Sequence, residues 1–150
     1  MQEIVKDIMS EDIVAVLPSD TAREAAVLMN ENNIGSVPVV LDRKLQGILT
    51  DRDIVVRCIA KGRSVDSTKV SDLMSTDIVV VKPEDTVSDA VNLMAEERVR
   101  RLPVVKDGII NGFVSLADIA RHHSGPETAE AISEISLPNC VSNETSIKTE

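Results

Sequence analysis

Apolar positions change their spacing in a fixed order along this chain, and the order occurs twice. Ile13 to Val16 is a short β-branched run closed by Pro18, and Ala22, Ala25, Ala26 and Met29 then fall at helical spacing. Val37 to Leu41 and Leu45 to Leu49 return to a strand pattern, and a second helical stretch follows Thr50. The succession starts again with Ile78 to Val81 before Pro83, continues through Val87, Ala90, Val91 and Met94, and closes with a stretch that follows Ser115. Thr21 with Glu24, and Thr86 with Asp89, are capping-box pairs, predicting helices that run to about Asn32 and Glu97. Asp42-Arg43-Lys44 joins the first strand pair where the second has Asp107-Gly108, a hairpin turn signal. The closing helices are predicted to reach Ala60 before Gly62, and His123 before Gly125-Pro126.

The two successions align without a gap, Val5 to Val56 on Val70 to Arg121, at a constant offset of 65 positions. Each copy therefore reads β-α-β-β-α, an α+β (mixed α/β) fold built from a duplicated unit. The expected organisation is a first domain over 1–63, a second over 64–124 and a tail over 125–150, with Lys61 to Lys69 as linker. In the tail, ETAEAISEIS could add a helix, whereas PNCVSNETSIKTE is poorly patterned and predicts a frayed end. Small duplicated units can bury apolar faces against each other across a pseudo-twofold seam, and the clefts of such a seam suit ligands. Leu28 and Leu93 widen the helical stripes, which suggests a further layer or subunit.

Composition narrows the classes. Phe113 is the one aromatic in 150 residues that are 43% hydrophobic, so the core must be aliphatic. A formal charge of −9 opposes attraction to nucleic-acid backbones and anionic membranes. With no signal segment or long apolar run, the expected location is the cytoplasm. Cys58 and Cys140 make no disulfide framework, and Cys58, beside Ile54, Val55 and Ile59, reads as a small buried hydrophobe. The Asn143-Glu144-Thr145 sequon reads as chance without secretion. His122-His123 with Cys140 is a poor metal set because adjacent histidines face different ways, so no metal is expected. No hydrolase triad, phosphate loop or zinc-spaced cysteine set is present, which disfavours an enzyme.

The candidate chemistry lies in Gly47-Ile48-Leu49-Thr50-Asp51-Arg52-Asp53 and its twin Gly112-Phe113-Val114-Ser115-Leu116-Ala117-Asp118. A strand delivers a hydroxyl to a helix start, where unpaired N–H groups attract an anion, and an aspartate one turn on can accept bonds from a ribose diol. The same spacing is also capping grammar, and residues alone leave both open.

The paired patterns KDIMS and SDLMS, VPVV and LPVV, GILTDRD and GFVSLAD resemble a tandem pair of CBS domains, the Bateman module, over residues 1 to 124. That resemblance implies a regulatory fold without catalysis, in which two β-α-β-β-α units pack sheet to sheet with pseudo-twofold symmetry and bind adenine nucleotides (AMP, ADP or ATP) or S-adenosyl compounds in the cleft between them. It implies Asp53 and Asp118 on ribose and Thr50 and Ser115 near ribose or phosphate. Ile13, Val14, Val37 and Pro38, with Ile78, Val79, Leu102 and Pro103, would line the base pockets. In the adenine-nucleotide sensor subunit of AMP-activated protein kinase, which carries such domains, a similar basic pair before the apolar-proline step faces phosphates, which implicates Arg100 and Arg101. Pairing of these arginines with Glu96 or Glu97 is the alternative, and Arg52 could reach an anion or stay on the surface.

Three functions stay open: a nucleotide sensor, a sensor of S-adenosyl methionine or a related thioether, and a ligand-free interaction module. A homodimer is expected, with a regulated enzyme or transporter as partner. One aromatic cannot sandwich a base between rings, so adenine would sit among aliphatic side chains, and single-stranded nucleic acid is disfavoured.

Overall fold

The computed structural model describes residues 3–122. Helix α1 (Ala22–Asn32) is followed by β1 (Ser36–Leu41), β2 (Lys44–Thr50) and α2 (Asp51–Asp53), which continues without a break as a π-helical segment, Ile54–Ile59. The second round is α3 (Val87–Glu97), β3 (Arg101–Lys106), β4 (Ile109–Ser115) and α4 (Leu116–His122). The fold is α+β, and both predicted capped helices end where the pattern placed them. Thr21 accepts from the Glu24 N–H while the Glu24 carboxylate accepts from the Thr21 N–H, and Thr86 accepts from the Asp89 N–H. Asn33 and Arg98 then take the left-handed conformation that stops a helix. The predicted tail helix and the end of the last helix at His123 lie outside the described residues.

Both hairpins turn through two residues at positive φ, Asp42 (52°) with Arg43 (67°) and Asp107 (54°) with Gly108 (81°). That is the handedness a two-residue turn needs to match the twist of its strands. Lys44 begins β2 and is not part of the turn.

The first strand expected in each copy is reduced to a single rung. Val16 pairs in parallel with Val39, and Val81 with Val104, each as an isolated bridge. Val16 donates to Pro38 O at 3.1 Å and accepts from the Val40 N–H at 2.9 Å. A parallel ladder would continue through the N–H groups of residues 18 and 38, and both are prolines without a donor. Pro83 and Pro103 stop the second copy in the same way.

By contacts the described chain forms two compact units, 3–11 with 80–104 and 112–122, and Asp12–Val79 with Val105–Asn111. Each copy thus lends its opening segment to the unit of the other. In the unit that holds α3, the Val5 and Lys6 N–H groups donate to the carbonyls of Asp85 and Pro83, and Ser10 exchanges two hydrogen bonds with Phe113 (2.8 and 2.9 Å). In the unit that holds α1, Val70 and Ser71 donate to Asp20 and Pro18, and Ser75 pairs with Ile48 at 2.9 Å in both directions. Gly47 and Gly112 are where these crossings come closest. A Cβ on Gly47 would sit 2.8 Å from Ser75 O, and one on Gly112 would sit 2.3 Å from Ser10 O.

The core of the α1 unit gathers Val16, Ala22, Ala25, Met29, Val37, Val39, Leu49, Ile54, Cys58, Val70 and Leu73. Residues 65 and 68 of the expected linker lie along the start of α1, since the Ala22 and Arg23 N–H groups donate to Thr68 O and Val65 O. The α3 unit buries Val5, Val87, Ala90, Met94, Leu102, Val104, Val114 and Ile119. Within the α1 unit β1 pairs antiparallel with β2, and Lys44 at the start of β2 stands opposite Ile109. No helix among the described residues is long and apolar enough to cross a membrane.

Candidate functional site

Each hairpin delivers a hydroxyl to a helix start. Thr50 ends β2 in an extended conformation, and its Oγ1 accepts from the Asp53 N–H (3.1 Å) while Asp53 Oδ2 accepts from the Thr50 N–H (2.9 Å). Ser115 and Asp118 repeat the arrangement in the other unit, at 3.0 and 3.1 Å. Both corners are therefore complete capping boxes, and one oxygen of each aspartate is committed to the backbone.

The second oxygen of each aspartate faces an arginine one turn along the helix. Arg57 Nε lies 3.8 Å from Asp53 Oδ1, and Arg121 Nη2 pairs with Asp118 Oδ1. The aspartate side chains are 17% and 14% exposed, whereas those of Arg57 and Arg121 are 53% and 69% exposed. Arg57 is also anchored, its Nη1 donating to Leu73 O at 3.1 Å, and an ion pair of an exposed arginine is a weaker tie than the backbone bonds of the cap. Sequence reasoning passed over these two arginines, although Asp53 to Arg57 has the four-residue spacing of a helical ion pair and Asp118 to Arg121 the three-residue one.

The helix starts differ in their remaining donors. In the first copy the Asp51 N–H goes to Gly35 O at 2.9 Å and the Arg52 N–H to Asp51 Oδ1 at 2.8 Å. With Asp53 bound to Thr50, the first three N–H groups are taken. In the second copy Leu116 donates to Arg100 O at 2.8 Å, but Leu116 has no carboxylate to cover the next N–H, that of Ala117.

Basic character also separates the two. Arg100 and Arg52 are exposed, and Arg101 is half-buried with its guanidinium 4.3 Å from the centre of the Phe113 ring. Burial lowers the Arg101 pKa from the ordinary arginine value, and the charge of Asp118 acts against that. Asp118, Arg101 and Phe113 therefore form one neighbourhood in the α3 unit, while the matching place before Val37 holds Ser36 and Gly35.

The eight residues named for base pockets divide by burial. Ile13, Val14, Ile78 and Val79 are partly exposed, whereas Val37, Pro38, Leu102 and Pro103 are buried. Pro38 and Pro103 present their carbonyls to the Val16 and Val81 N–H groups. Cys58 is buried, its Sγ 3.5 Å from Arg63 O, and no cluster of metal-binding side chains occurs among the described residues. His123 and Cys140 lie outside them.

A family model described as the CBS domain matches residues 5–59 and 70–125. The CBS domain-containing protein YhcV of Bacillus subtilis is 43% identical over 136 residues, covering 90% of this chain and 96% of that protein. A crystal structure of Hypoxic Response Protein I with two coordinated zinc ions is 36% identical, with a TM-score of 0.72 over 79% of this chain and 98% of that one. The CBS domain pair of protein MJ0100, solved in complex with 5-methylthioadenosine and S-adenosyl-L-methionine, is 26% identical, with a TM-score of 0.69 over 81% of this chain and 96% of that one.

Proposed function

Since this chain belongs to the CBS domain family and is a pair of such domains, a regulatory ligand-binding module, we propose that it senses an adenosine-containing small molecule at its two strand-to-helix corners. The observation that carries the reading is the recurrence of one device: a hydroxyl and an aspartate locked by reciprocal bonds, with the second carboxylate oxygen turned to an arginine one turn along the helix. Asp53 and Asp118 would accept the ribose hydroxyls through that oxygen. Thr50 and Ser115 would keep the carboxylates in place. The chain acts as a sensor and not as a catalyst, with no catalytic cofactor.

A phosphate-bearing ligand, AMP, ADP or ATP, is the first choice for the corner at Ser115, because Arg100 and Arg101 precede it and Arg52 is the lone cation inside the first motif. Forked guanidinium donors suit phosphate oxygens. The complex of the MJ0100 pair favours a second reading, an S-adenosyl thioether, which needs the aspartates but no phosphate clamp. Occupancy would act by favouring one arrangement of the protein over another, to be read by a second copy in a homodimer or by a regulated enzyme or transporter.

Thermal-shift titration with AMP, ATP and S-adenosyl methionine, on wild type and an Arg100→Ala, Arg101→Ala double variant, separates the two. Selective loss of the nucleotide shift supports the phosphate clamp. An S-adenosyl methionine shift equal in both proteins, with none from AMP or ATP, supports the thioether. No shift from any of them leaves an interaction module.

A further inference from the structure

The two corners share their cap but not the use of the carboxylate oxygen left over. At the first, Arg57 is held from elsewhere: its Nη1 donates to Leu73 O at 3.1 Å, and its Nε stands 3.8 Å from Asp53 Oδ1. That separation makes an ion pair but is too long for a hydrogen bond. Among the described residues no hydrogen bond reaches Asp53 Oδ1, so its lone pairs are open. At the second, Arg121 Nη2 donates directly to Asp118 Oδ1, and Arg121 has no other side-chain partner among the described residues.

This difference does not follow from the duplication. At the offset of 65 positions Arg57 corresponds to His122 and Arg121 to Val56. Each arginine therefore approaches its aspartate from a position of its own, four residues along in one copy and three in the other. The helices differ as well, since the first is π-helical over Ile54–Ile59 and the second is α-helical over Leu116–His122.

We propose that Arg121 is a gate on the Asp118 corner, whereas the Asp53 corner is ready as it stands. The proposal rests on the reading of both aspartates as ribose acceptors and adds what a ligand meets at each. At Asp53 a vicinal diol finds an open oxygen with a positive charge fixed beside it and no donor to expel, because the guanidinium is anchored on Leu73 O. At Asp118 the same diol has to replace the Arg121 donor, and the released guanidinium, on a side chain 69% exposed, returns to water. An ion pair with one exposed partner is weak, so the gate lowers affinity several-fold without closing the corner.

Calorimetric titration with AMP, ATP and S-adenosyl methionine as probes tests each corner by itself. In an Asp53→Asn background, which leaves the Asp118 corner, adding Arg121→Gln should tighten binding about fivefold, the upper worth of such a pair, while Arg121→Lys, which keeps the cation, should not. In an Asp118→Asn background, adding Arg57→Gln should bring no gain and some loss, because Asp53 loses the fixed charge beside it. A purely structural Arg121 would move the melting temperature and leave affinity alone, so both are recorded, and circular dichroism checks the fold of each variant. Arg121→Gln that leaves or lowers the affinity of the Asp118 corner, the same gain from Arg121→Lys, or an equal gain from Arg57→Gln at Asp53 overturns the gate while the sensor reading stands. Failure of all three probes to bind either wild type or Arg121→Gln overturns that reading and the gate with it.

Discussion

A Cβ placed on Gly112 would lie 2.3 Å from the carbonyl oxygen of Ser10, closer than any real contact of that kind. Two segments about a hundred residues apart are thus pressed backbone to backbone, and only glycine leaves room. Gly112→Ala should cost about 2–3 kcal/mol, the scale of an overpacked core, and Gly47→Ala somewhat less, since part of its clash is with the flexible end of Met74. Urea denaturation measures both. Losses below about 0.5 kcal/mol would show that the opening segments are not held at these crossings.

The turn residues give a prediction of opposite sign. Arg43 sits at φ 67° where the second hairpin has Gly108 at 81°. A non-glycine residue pays roughly 1 kcal/mol for that conformation, so Arg43→Gly should stabilise the protein by up to about 1 kcal/mol and Gly108→Arg should destabilise it by a similar amount. Thermal melts of the two variants should move in opposite directions.

How much could be read from the chain differs by element. Helices α1 and α3 were legible because their caps and their apolar spacing agree, so local chemistry sets both ends. The exchanged openings were not, because nothing local tells Ser10 that its partner is Phe113. Gly47 and Gly112 carried the signal, yet beside Thr50 and Ser115 they resemble part of a ligand motif, and it is the geometry that gives them a packing role. The opening strands were overread for a similar reason. Pro18 ends the run visibly, but the missing N–H that stops the ladder at its other end belongs to Pro38, on a different strand.

At the candidate corners, both the cap and the ligand motif were visible in the sequence, and the structure shows the cap in full. What the sequence left open was the second carboxylate oxygen, because the arginines that meet it stand a turn further on.

Acid should reach the α1 cap in a definite direction. Hydrogen bonds from Thr21 hold the Glu24 carboxyl below its ordinary value of 4.5. A carboxylate with a depressed folded value stabilises above the unfolded value and loses that contribution as pH falls through the folded one. Glu24→Gln should therefore lower the melting temperature at pH 7, and the gap to wild type should close on titration below pH 4.5. A gap that is constant with pH would mean that the charge of Glu24 adds nothing to the cap.

Hydroxyl removal at the corners separates structure from binding. Thr50→Ala and Ser115→Ala should each cost about 1 kcal/mol of stability, the usual worth of an N-cap side chain. Guanidinium denaturation gives the values, and a loss near zero would mean that these reciprocal bonds do not hold the aspartates.

The central claim concerns two carboxylates. Asparagine can still accept the backbone bond at a cap, whereas it takes away the charge offered to a ribose diol. Calorimetric titration of AMP, ATP and S-adenosyl methionine into wild type, Asp53→Asn and Asp118→Asn, with melting temperatures recorded alongside, tests the claim most directly. Binding of at least one compound to wild type is expected, weakened about tenfold or more in one or both variants, as for loss of a hydrogen bond to a charged group, with the fold retained. Equal affinity in all three proteins, or no binding of any of these compounds to wild type, would contradict it.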